Sequence, residues 1–163
     1  MMRLILIYLM LSFLSLAYAE AQTIPDAEFK WTDNKACLSL GPNTKVFLKV
    51  EQDPVLSEFN KPAFDQFIEH LIKDLDLDKT QEGGLKLKIL FAQDKSLCVS
   101  QVGTRSIQLN TAQVNEINNR FSEIHEFELG RQRDRPVDCL GILYIEVLKG
   151  ALVSTRNVNF GFN

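Results

Sequence analysis

The alternation Leu85-Lys86-Leu87-Lys88-Ile89-Leu90-Phe91 constrains this chain more than any other stretch. Apolar residues at every second position, with lysines between them, predict a β-strand buried on one face. Gln93 to Ser96 is polar and turn-like, and Leu97, Val99 and Val102 mark a returning strand. The two predict a β-hairpin whose lysine side faces water. A hairpin alone is marginal in water, so its apolar face needs a cover.

Two amphipathic helices can provide that cover. Phe64, Phe67, Ile68, Leu71, Ile72 and Leu75 recur at steps of three and four, which makes one continuous stripe on a helix. Asn60 suits its N-cap and Pro62 its first turn. A thinner stripe, Val114, Ile117, Phe121 and Ile124, follows Asn110, which can cap while Gln113 returns the bond. Two short strands are expected earlier, Ala36 to Leu40 and Lys45 to Val50, with Gly41-Pro42-Asn43 as the turn between them. Phe29 and Trp31 would anchor the polar arm that precedes them. Gly130 to Pro136 reads as a loop, and Val137 to Leu148 as a strong strand. Lys149-Gly150 turns the chain into a tail with alternation at Val158, Phe160 and Phe162.

Strands with helices gathered on one face indicate an α+β fold, a small antiparallel sheet packed against two helices. The Val137 strand should lie antiparallel beside the Leu85 strand. Either it or the tail then forms an edge, where unpaired N–H and C=O groups can accept another chain.

The 163 residues suit one domain. Its first 19 residues read differently. Met1-Met2-Arg3, the apolar run Leu4 to Leu16, and Ala17-Tyr18-Ala19 match a secretory signal peptide cleaved before Glu20. An uncleaved inner-membrane anchor is the alternative, disfavoured because the run is shorter than the ~20 residues of a spanning helix. Cleavage would export the protein. Without Arg3 the chain carries 17 basic residues against 21 acidic ones, one basic residue fewer than the full sequence. That balance argues against nucleic acid as a partner and gives no pull toward anionic lipid.

An exported chain meets oxidising conditions. Cys37, Cys98 and Cys139 allow one disulfide with a thiol left over, or three small buried hydrophobes, and the sequence does not choose a pair. No base can be set beside any of them. His70 falls on the polar side of the first helix, and His125 where the second one frays. Asp74 to Asp78 invites a calcium reading but fails it, with Lys79 at the position for glycine and Leu85 at the position for glutamate. Arg131, Arg133 and Arg135 form a basic spot that reads as a solvated loop. No catalytic residue, metal ligand or cofactor is assigned.

In its order of elements, the stretch 46–147 resembles the C-terminal domain of TonB-family proteins, in the version common in Bacteroidetes. Val50-Glu51-Gln52-Asp53-Pro54 is similar to the family's entry strand, and Phe64 to Leu75 to its first helix. Gly83 followed by alternating hydrophobics, the returning strand Leu97 to Val102, and Leu109-Asn110 with its helix follow in the family's order. Phe127 to Val137 resembles the junction before its last strand.

The resemblance implies a non-catalytic periplasmic protein-binding module linked to outer-membrane transport. It would dock an envelope protein, such as an outer-membrane receptor, by edge-strand addition. The family's docking strand maps onto Val137, Asp138, Cys139, Leu140, Gly141, Ile142, Tyr144 and Glu146. The chain then divides into a signal peptide (1–19), an arm with a short strand (20–44), a TonB-like domain (45–150) and a tail (151–163). The alternative is a structural or accessory envelope protein whose edge strand is capped by its own tail.

Overall fold

The computed structural model describes residues 25–34, 37 and 45–163. The expected signal peptide, the turn at Gly41-Pro42-Asn43 and all of the Ala36–Leu40 strand except Cys37 lie outside them. In chain order the elements are β1 (Lys30–Asp33), β2 (Val55–Leu56), α1 (Lys61–Asp74), β3 (Gly83–Phe91), β4 (Leu97–Arg105) and α2 (Thr111–Ser122). They continue with β5 (Phe127–Glu128), β6 (Arg131–Gln132), β7 (Arg135–Pro136), β8 (Cys139–Leu148), β9 (Ala151–Val158) and β10 (Gly161–Phe162).

The expected α+β class is present. The alternating stretch and its return form the hairpin β3–β4, with Leu87 opposite Val102 and a bulge between Lys88 and Ile89. It is the middle of a five-stranded antiparallel sheet ordered β1-β4-β3-β8-β9. Leu87, Ile89, Val99, Leu143 and Ile145 share a core with Phe64, Ile68 and Leu71 of α1 and with Ile117 and Phe121 of α2. Both helix starts are capped as their sequences predict. Asn60 Oδ1 accepts from Ala63 N at 2.9 Å. Asn110 and Gln113 exchange the two bonds of a capping box.

The tail belongs to the domain. Lys149 (φ +52°) and Gly150 (φ +71°) make the left-handed tight turn that suits a β-hairpin, and β9 returns along β8. Phe160 and Phe162 then enter the aromatic core against Phe64, at 6.1 and 4.7 Å between ring centres. β10 pairs with β2 in a second, three-stranded sheet ordered β10-β2-β5. The arm is likewise a strand of the main sheet, since β1 pairs with β4. The divisions at 44/45 and 150/151 therefore cut through one sheet.

Three local expectations are corrected. Lys45 to Val50 is not a strand; Phe47 makes a single bridge to Cys139, and Leu48 is 67% exposed. The ladder it would need beside β8 is occupied by β9 from Ile142 onward. Gly130 to Pro136 is ordered as the small hairpin β6–β7, whose tip is held where Arg133 N donates to Glu51 Oε2 at 2.9 Å. The lysine side of β3 is not wet, because the arm covers it and leaves Lys86 only 3% exposed.

Candidate functional site

The strand proposed for docking is interior. On one side β8 pairs with β3 from Cys139 to Val147. On the other it meets Phe47, which donates its N–H to Asp138 O and accepts from Leu140 N, each at 2.9 Å. From Ile142 to Leu148 that same side is taken by β9. Strand addition needs free backbone groups, and β8 has given its own to neighbours within the chain.

Its side chains are committed as well. Asp138 is 4% exposed, and its Oδ1 accepts from Gln93 N at 2.7 Å, which ties the β3–β4 turn to β8. Val137 N donates to Gly130 O at 3.0 Å. Gly141 lies under Phe160 and Phe91, and a Cβ there would come within 2.9 Å of either ring. Glu146 pairs with Arg105 at 3.0 Å, while Leu140 and Ile142 are half-buried. Tyr144 sits between two cations, Lys86 Nζ at 4.7 Å and the Arg156 guanidinium at 4.4 Å from its ring centre. Cys139 is buried with its thiol free, and burial above all pushes its pKa up to about 11. Such a thiol is a poor nucleophile at neutral pH.

The unpaired backbone lies one strand further out. β9 is the end of the main sheet, and among the described residues no strand pairs with its outer side. It contains no lysine and no proline, the residues that commonly blunt an exposed edge. Val153 on it is 60% exposed. Thr155 fixes it to the start of α1, donating to Asp65 Oδ1 at 2.5 Å and accepting from Lys61 Nζ at 3.0 Å.

No family model matches the chain, and no curated protein or solved structure matches it either.

A second feature lies on the helix-free face. Lys86 and Lys88, two apart on β3, bracket the Asp26 carboxylate, Lys86 through Oδ1 and Lys88 at 3.4 Å from Oδ2. The rings of Phe29 and Trp31 lie 5.6 and 5.9 Å from the Lys86 ammonium, and Trp31 is 4.2 Å from that of Lys88. Asp26 is held below the usual carboxylate range, chiefly by its bond to Lys86. For Lys86, burial opposes the charge, but Asp26 and Tyr144 outweigh it and hold the ammonium above its ordinary value. The sequence hinted at this face through the lysine alternation and the two arm aromatics, but nothing in it paired Asp26 with Lys86.

The remaining candidates stay apart. His70 is exposed on α1 and His125 is exposed in the loop between α2 and β5. Arg131, Arg133 and Arg135 are all exposed. In the acidic run Asp74 pairs with Arg120 at 3.2 Å, and Asp78 accepts from Thr80. The disulfide joins Cys37 to Cys98, with Cα atoms 5.8 Å apart, and fastens the far end of the arm to β4. Among the described residues no helix is long and apolar enough to cross a membrane.

Proposed function

We propose that this chain is a non-catalytic protein-binding module of the cell envelope, and that it takes an extended segment of its partner on β9. The observation that carries this reading is the eight-residue edge of β9, unpaired on its outer side among the described residues, in a sheet whose next strand inward is closed on both sides. Main-chain pairing along such an edge provides affinity, and alternate side chains select the segment. The TonB-like order of the elements supports the docking mode but moves it one strand outward. The Cys37–Cys98 disulfide supports export to an oxidising compartment. The buried, high-pKa Cys139 and the separated histidines support a role without catalysis.

One observation favours the accessory reading instead. β9 caps β8, the strand to which the resemblance assigns docking. A photo-crosslinking residue at Val153 in cells separates the two. Capture of an envelope protein, suppressed by an extended competitor peptide, is the expected result. Crosslinks confined to this chain would leave the accessory role. Proline placed in turn at Ser154 and Thr155, whose N–H groups point opposite ways, sharpens the test. The position pointing away from β8 should keep the fold and lose capture.

A further inference from the structure

We propose that the helix-free face of the main sheet is a binding site for an acidic peptide segment of a partner protein, occupied in cis by the chain's own arm. The arm presents Asp26, Glu28, Phe29 and Trp31 within six residues, and each meets a matching group on the sheet. Asp26 lies between Lys86 and Lys88. Glu28 reaches Arg105 at 3.7 Å. Phe29 and Trp31 cover the lysine ammonium groups. Gly103 of β4 gives the rings room, since a Cβ there would meet Trp31 at 3.0 Å and Phe29 at 3.1 Å.

The receiving groups belong to β3 and β4, not to the arm. Lys86 is 3% exposed, and the carboxylate that neutralises it comes from outside the sheet. A desolvated ammonium needs such a partner, so any occupant that covers Lys86 as the arm does must bring a carboxylate with it. Arg156 extends it over Tyr144 and, among the described residues, has no carboxylate within ion-pair distance. Apart from the arm strand β1, whose Asp33 accepts from Gln101 at 2.7 Å, the face thus offers Lys86, Lys88, Arg105 and Arg156 against Glu146, a local basic excess in an acidic chain. Charge complementarity therefore selects an acidic occupant.

The arm is also suited to exchange. It pairs with β4 over only four residues, and the Asp26 side chain stays 55% exposed. The disulfide at Cys37 secures its far end, so the arm can lift without leaving the molecule.

The test uses the full oxidised chain and a fluorescein-labelled peptide of the arm sequence 25–33. The variant D26N/E28Q loosens the arm without touching the sheet. It should bind the peptide at least tenfold more tightly than the parent, by fluorescence anisotropy. Adding K88Q should cancel that gain, and a peptide with Asp26 and Glu28 replaced by their amides, Asp33 retained, should bind at least tenfold more weakly. G103V opens the arm by bulk with both carboxylates retained, and it too should take up the peptide. Absence of uptake by both variants, or equal uptake of acidic and amide peptides, overturns the proposal. A concentration-dependent dimer of the variant without peptide uptake assigns the face to a second copy and overturns it as well.

Discussion

The two faces of the main sheet are both covered, but by different chemistry. One face meets α1 and α2 through aliphatic and phenylalanine side chains such as Leu87, Ile89, Leu143 and Phe64, each at most 1% exposed. The other meets a short arm through an ion pair, stacked cations and two rings. Apolar burial is non-directional and scales with area, so the helix face carries most of the stability. The arm face stabilises little, because a buried ammonium loses in desolvation much of what its partner returns. What it provides is selectivity, since few occupants supply a carboxylate between two lysines.

Substitutions should separate the faces by magnitude. Phe64→Ala removes a fully buried ring from the helix side and should cost about 3–5 kcal/mol in chemical denaturation. A loss below ~1 kcal/mol would break the contrast. Cys98→Ser opens a linkage that spans 61 residues, worth roughly 4 kcal/mol in the chain-entropy picture, and a fall of about 2–4 kcal/mol is expected. Because this bond holds the arm, the variant should also shift Trp31 emission, whereas Phe64→Ala at the same fraction folded should not.

Asp26→Asn should cost only about 1–2 kcal/mol, because water reaches the half-exposed carboxylate and screens the pair. Its pH signature is more telling. Asp26 is lowered from 3.8, so its contribution is present above that value and is lost as pH falls through the depressed one. Lys86 is raised from 10.5, so its contribution is present below that value and is lost as pH climbs through the elevated one. Asp26→Asn should flatten the acid limb and weaken the alkaline limb. Smallest of all, Val153→Thr on β9 should stay within about 0.5 kcal/mol while reducing partner capture.

Much of the helix face was legible in the sequence. The stripes at Phe64 to Leu75 and Val114 to Ile124 reflect apolar burial, and the caps at Asn60 and Asn110 are local chemistry. The arm face was not, because an alternating lysine looks the same whether water or an arm lies over it. Phe29 and Trp31 signalled docking but not its place. The position of β9 was left open, between a free tail and a cap on the Val137 strand, for a related reason. Ser154-Thr155-Arg156-Asn157 lacks the apolar alternation of a core strand, yet an edge strand needs only backbone partners. Once β9 paired with β8, the docking residues assigned to Val137–Glu146 became interior.

Brief acetylation of the native chain with an amine-reactive ester, read lysine by lysine by mass spectrometry, tests the covered face most directly. Lys86 should be the least modified lysine of those described, well below exposed Lys79, and Asp26→Asn should raise its labelling severalfold. Labelling of Lys86 at the rate of Lys79 in the native chain would mean that the arm does not cover the sheet, and the account of this face would fail.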